Sequence, residues 1–105
     1  MKISLNGKEY ESGKITREKY KKFAEVFEKL LGKEKDAQTF SDEDLDEMVE
    51  AIVVVYGNQF TFDEANAELE DVAQIIFNFA LINANIIKRM ADQAEDAKKN
   101  LSSRA

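Results

Sequence analysis

Apolar and polar positions change rhythm several times along the chain, and each rhythm predicts an element. Ile3-Ser4-Leu5 alternates, Asn6-Gly7 is a strong signal for a two-residue turn, and Lys8-Glu9-Tyr10-Glu11 alternates again. That pattern predicts a β-hairpin closed by a type I′ turn, with Ser12-Gly13 ending its second arm. An isolated two-stranded hairpin is marginal in water. This one therefore needs a helix to lie on, or a sheet edge in another subunit or partner.

The remaining periodicity is helical. Thr16 reads as an N-cap with Ile15 and Tyr20 at staple positions, and Tyr20, Phe23, Ala24, Phe27, Leu30 and Leu31 fall on one face. Gly32 is placed to stop that first helix as its C′ residue, and Lys33 to Thr39 reads as a polar linker. Ser41-Asp42-Glu43-Asp44 is a capping-box variant that opens a second helix, with Phe40 and Leu45 as its staple and Leu45, Met48, Val49, Ile52, Val53 and Tyr56 as its apolar face. The run Ala51 to Tyr56 is rich in β-branched residues and could also be a strand. Its cap and period favour a helix, which Gly57 would end. Thr61-Phe62-Asp63-Glu64 is another capping box and starts a short helix to about Leu69. A last helix runs from about Asp71 to Lys98, ahead of a tail at 101–105 that reads as frayed.

In that last helix Val72, Ile75, Ile76, Phe79, Ile82, Ile86, Ile87 and Met90 share one face, with Asn83 in its middle. Phe77, Leu81 and Ala84 fall on the opposite side, with Lys88 a turn further on. A helix that is apolar on two sides is either enclosed or used at an interface. Three other helices cannot easily enclose one of this length. Phe77, Leu81, Ala84 and Lys88 are thus the candidate partner-binding residues, the alternative being that Phe77 and Leu81 pack beneath the hairpin. The expected architecture is mainly α: an N-terminal β-hairpin packed on a bundle of about four helices, the last one long. Residues 1–100 form one domain, as suits a chain of 105 residues.

Composition narrows the chemistry. With no Cys and no His, disulfides, thiolate zinc sites and the commonest general base are excluded. The acids at Asp42, Glu43, Asp44, Asp46, Glu47 and Glu50 read as a solvated helix start. They lack the mid-loop glycine of an EF-hand, so no metal and no catalytic residue is expected. Gly7, Gly13, Gly32 and Gly57 stand too far apart for a phosphate cradle, and no cofactor is expected. Charge is segregated. Residues 1–35 carry ten Lys/Arg against six Asp/Glu, residues 36–71 carry twelve acids and no base, and the whole chain is −6. A helix-turn-helix reading across residues 41–69 fails on this count, because the would-be recognition helix carries acids only and phosphates would repel it. With a polar N-terminus no signal peptide is expected, and with the run Val72 to Ile87 interrupted by polar residues no membrane span is expected. A soluble, intracellular protein is expected, with no nucleic acid and no membrane as partner.

The joint Tyr56-Gly57-Asn58-Gln59-Phe60 reads as structural: Gly57 stops a helix, Asn58 and Gln59 bond within the turn, and Tyr56 and Phe60 tie two helices together. Joint and hairpin also carry a resemblance. Ile3 to Tyr10, the helix opening at Lys14-Ile15-Thr16-Arg17, and the acidic helix ending in Val55-Tyr56-Gly57-Asn58-Gln59-Phe60-Thr61 together resemble the tail assembly chaperones of long-tailed phages and prophages of Gram-positive bacteria, over residues 3 to 90. The resemblance implies a protein of the host bacterial cytoplasm, absent from the mature virion. It would bind the apolar helices of the tape-measure protein and prevent their aggregation before the tail tube polymerises. It also implies contact with the tail tube protein through a frameshifted longer form. Two other readings stay open: a self-assembling structural or adaptor protein, a homo-oligomer with the last helix as its seam, and an acidic regulator such as a nucleic-acid mimic or antitoxin.

Overall fold

The computed structural model describes residues 1–35 and 40–103, with side chains over 1–30 and 40–98. Strands β1 (Lys2–Leu5) and β2 (Lys8–Glu11) form the hairpin, and helices α1 (Arg17–Lys35), α2 (Asp42–Val55), α3 (Phe62–Glu68) and α4 (Val72–Ser103) follow. The strands are antiparallel, Ile3 opposite Tyr10 and Leu5 opposite Lys8. Asn6 and Gly7 both take positive φ, 50° and 72°, the pair of left-handed residues that a type I′ turn demands. The pleat sends Ile3 and Leu5 inward, where both are buried, while Lys2 and Ser4 face water.

The hairpin packs within its own chain. β1 lies against α3, and the Tyr10 ring meets Phe60 edge-on at 5.0 Å between centroids. Lys19 of α1 donates from Nζ to the carbonyls of Ser12 (2.9 Å) and Lys14 (3.3 Å), holding the end of the hairpin to the first helix.

α2 is the centre of the molecule, and α1, α3 and α4 all pack on it. The side chains of Val49, Ala51, Ile52 and Val55 are wholly enclosed. This explains the β-branched run from Ala51 to Tyr56. A helix covered on every side needs apolar residues all round, so its sequence loses the one-sided pattern and comes to look like a buried strand. The start of α2 overrides that resemblance. Ser41 Oγ accepts from the Asp44 amide (3.2 Å) and Asp44 Oδ2 accepts from the Ser41 amide (2.9 Å), a complete capping box. Asp44 is therefore buried, at 1% exposure, rather than displayed to water with the neighbouring acids.

Two boundaries differ from the sequence reading. Gly32 does not end α1, which continues to Lys35. Glycine costs a helix only about 1 kcal/mol relative to alanine, too little to stop one that Phe23, Val26 and Leu30 hold against α2. The expected linker from Lys33 is thus helical over its first three residues, and 36–39 lie outside the described residues. α4 runs past the expected end near Lys98, to Ser103. The basic face of α1 also meets the acids of α2: Lys29 reaches Glu47 (2.7 Å) and Lys22 reaches Glu50 (3.4 Å). Part of the charge segregation is satisfied between neighbouring helices.

Candidate partner-binding face

α4 begins where Asp71 caps it, its Oδ1 accepting from the Ala73 amide (2.9 Å) and its carbonyl from Gln74 (2.8 Å) and Ile75 (3.3 Å). At a rise of about 1.5 Å per residue, its 32 residues span roughly 48 Å, close to the longest dimension of the molecule, 54 Å. Only a narrow line of it is buried. Ile75, Phe79 and Ile82 enter the core with Ile76 and Ile86 partly covered, and the Phe79 ring sits 5.0 Å from Phe23. This line is slimmer than the sequence suggests, since Val72, Ile87 and Met90, expected on the same face, are exposed. They sit at its margin.

The other side of α4 is bare. Phe77 is 62% exposed and Leu81 37%, and Ala84 and Lys88 are exposed as well. At steps of four, three and four residues, helical geometry sets all four along one stripe. Neither Phe77 nor Leu81 packs beneath the hairpin, which is occupied with α3 and Phe60 instead. Exposed Ala80 links the stripe to an open apolar pocket of about 160 Å³ whose lining includes Phe27, Phe40, Met48 and Phe79. Near the start of α1, a wider cleft gathers Lys14, Arg17 and Arg89 around half-exposed Tyr20. Sequence reasoning misses this basic cleft, because its cations come from opposite ends of the chain and share no local spacing.

The joint between α2 and α3 is built in detail. The Asn58 amide donates to Val53 O (3.0 Å) and the Gly57 amide to Val54 O (2.9 Å), the two bonds of a Schellman motif. Gly57 (φ 72°) and Asn58 (φ 57°) both take the left-handed conformation. Gln59 Nε2 donates to Tyr56 O (2.7 Å) and across to Glu11 O (2.8 Å), tying the joint to β2. The Tyr56 and Phe60 rings lie 5.9 Å apart. Burial raises the pKa of the Tyr56 hydroxyl to about 12, with help from the nearby Glu11 charge. At the start of α3, Thr61 Oγ1 accepts from the Glu64 amide (3.1 Å), while the Glu64 carboxylate meets that same hydroxyl at 3.2 Å rather than the Thr61 amide.

The chain thus presents an exposed apolar helix face on a small helical body, with its hairpin bonded to the α2–α3 joint. A family model described as phage tail chaperone protein matches residues 1–104. The chain belongs to that family. No curated protein and no solved structure matches it. A phage tail chaperone has a role in assembly rather than catalysis. Among the described residues of this chaperone no cluster of acids could hold a metal ion, and no helix is long and apolar enough to cross a membrane.

Proposed function

We propose that this tail assembly chaperone binds the apolar helices of the tape-measure protein along α4 and keeps them from aggregating before the tail tube polymerises. The observation that carries the reading is the bare stripe of Phe77, Leu81, Ala84 and Lys88, turned away from the core on a helix long enough to lie along a partner helix. An amphipathic client helix set there would bury its apolar side on Phe77 and Leu81, packing as one helix does against the face of another. The neighbouring apolar pocket could take one client side chain as an anchor. The client must be covered only until the tube encloses it, so the chaperone works in the host cytoplasm and leaves before the virion is complete. Contact with the tail tube protein would be made by a frameshifted longer form.

The test is co-expression of the tape-measure protein with the chaperone and with a Phe77→Asp, Leu81→Asp variant. Both side chains are exposed, so the variant should keep its helical circular dichroism while the tape-measure protein turns insoluble and no longer co-purifies. Undiminished co-purification with the folded variant would overturn the assignment of this face. The acidic-regulator reading weakens, because Glu47 and Glu50 are paired with α1 and Asp44 is spent on a cap.

A further inference from the structure

The basic cleft between α1 and α4 is a second surface, on the side of α4 away from the bare stripe. The two helices run in opposite directions. The Phe23 ring meets Phe79, and Tyr20, one turn earlier on α1, shares the cleft with Ile86 and Met90, further along α4. Past Ile86 α4 continues, whereas α1 begins only at Arg17. The result is a cleft of about 570 Å³ in which Tyr20, Ile86 and Met90 supply apolar surface and Lys14, Arg17 and Arg89 supply charge.

That charge is uncompensated. Among the described residues Lys2, Lys22 and Lys29 each reach a glutamate, but Lys14, Arg17 and Arg89 enter no ion pair. No carboxylate lines the cleft. The acids nearest in sequence are placed elsewhere. Glu18 borders a neighbouring hollow with Lys21, Glu25 and Glu28. Asp92 lies roughly 110° around α4 from the line through Ile86, Met90 and Gln93, and Glu11 is taken by the N-terminal ammonium at 2.8 Å. The start of α1 adds the partial positive charge of a helix N-terminus. Lys19 Nζ, bonded to the Ser12 and Lys14 carbonyls, fixes the backbone that carries Lys14 and sets a fourth cation beside it.

We infer that the cleft docks an acidic segment of a partner protein, one large apolar side chain set among carboxylates. The chemistry decides between occupants. A basic or neutral segment leaves three cations with nothing to answer them. A small anion is not enclosed, since Tyr20 is 49% and Met90 66% exposed, whereas small-molecule pockets bury most of what they hold. A nucleic acid finds a single aromatic ring to stack on, and its continuous charge must run on past the cleft along a chain whose residues 40–71 hold eleven acids and no base. The acidic surface of a second copy would meet the cleft as an unlike patch, a head-to-tail contact that does not close at two copies. A short acidic segment meets none of these obstacles. Its carboxylates pair with the cations, and its apolar side chain lies on Tyr20, Ile86 and Met90. The cleft is roughly 160° around α4 from the stripe of Phe77 and Leu81, so the site does not rest on the tape-measure reading, and both surfaces can be occupied at once.

The test is fluorescence anisotropy on the purified chain with a labelled synthetic peptide, a leucine set among glutamates, so its failure is separate from any failure to bind a tail protein. The peptide should bind, and binding should weaken as salt rises. It should fall at least about tenfold when the glutamates become glutamines, and by a similar factor when the leucine becomes alanine. The double variant Arg17→Glu, Arg89→Glu should also lose at least about tenfold. Both side chains are exposed, so its helical circular dichroism should be unchanged. Lys98→Glu, the same charge reversal roughly 13 Å further along α4 and beyond the screening length of about 10 Å at 0.1 M salt, should leave binding intact. A glutamine peptide that binds as well as the glutamate one, or binding indifferent to the double reversal, would overturn the site. Tighter binding of a single-stranded oligonucleotide of equal charge would overturn the occupant in favour of a nucleic acid. Self-association of the chain that the double reversal abolishes would overturn it in favour of a second copy.

Discussion

Ile82 and Ile87 offer a matched pair, the same residue type on the same helix, five positions apart and roughly 140° around it. Ile82 is completely buried, whereas Ile87 is 58% exposed. Truncation of Ile82 to alanine removes three carbons from a packed core and leaves a cavity between α4 and α2, a change that costs about 2–5 kcal/mol. For a domain of this size, whose total stability is about 5–15 kcal/mol, that is a large share, and it should lower Tm by at least about 8 °C. Ile87→Ala removes the same atoms from a surface still largely wet, and alanine is the better helix former by a few tenths of a kcal/mol. Its stability should be unchanged or slightly raised. Urea titration followed by circular dichroism measures both, with the slope unchanged and only the midpoint shifted. Partner binding should be kept by Ile82→Ala wherever it is folded. Equal midpoints for the two variants would refute the assignment of Ile82 to the core and Ile87 to the surface.

Two further outcomes follow from the joint. Gly57→Ala makes only ordinary contact, the nearest atom being Lys19 Nζ at 3.8 Å, so its cost is that of holding alanine at φ 72°, about 1–2 kcal/mol. Gly57→Asn, a residue that tolerates this conformation, should lose less in the same urea titration. The Tyr56 hydroxyl, its pKa raised by burial from 10.0 to about 12, stays protonated in the fold at pH values where the unfolded chain has released its proton. Its contribution to stability should therefore be complete below pH 10 and decline between pH 10 and 12. The decline should be shallower in Tyr56→Phe, and an identical pH profile in the two proteins would contradict the burial argument.

Local signals are legible in the sequence, because their physics is local. Asn6-Gly7, Ser41 with Asp44, and Gly57 with Asn58 each determine a backbone conformation within four residues, and each is found where its pattern places it. Gly32 misleads for the complementary reason: the signal that overrides it, burial of Phe23, Val26 and Leu30 against α2, comes from residues distant in sequence. On α4 the periodicity identifies two apolar sides but not the width of either. How far the buried line extends depends on what packs against it in three dimensions, and periodicity carries no such information. Hence the pattern groups Ile87 and Met90 with Ile82, though they face water. The basic cleft of Lys14, Arg17 and Arg89 exists only once α1 and α4 are brought together.

The placement of α4 bears on how such a chaperone could release what it holds. Only the first half of the helix is anchored to the body, and from Ile87 to Lys98 every side chain is exposed. Isolated helices of this length are marginal in water, so the distal half depends on intrinsic propensity. Its sequence supplies it: Lys88-Arg89-Met90-Ala91 and Ala94-Glu95 are strong helix formers, and no glycine or proline interrupts the helix. The stripe from Phe77 to Lys88 is therefore kept in shape, by the buried side of the helix at Ile75, Phe79 and Ile82 and by the propensity of the turns beyond, without being covered. On the proposed reading, a client helix would meet a surface already ordered and lose little of its binding energy to ordering the chaperone. Because that surface is a single helix face rather than an enclosing groove, each contact also stays reachable from the side. On the proposed tape-measure reading, growing tube subunits would then replace the chaperone one turn at a time. A deep, closed groove would bind the same helix more tightly but would have to open before release, which suits a permanent subunit better than an assembly factor.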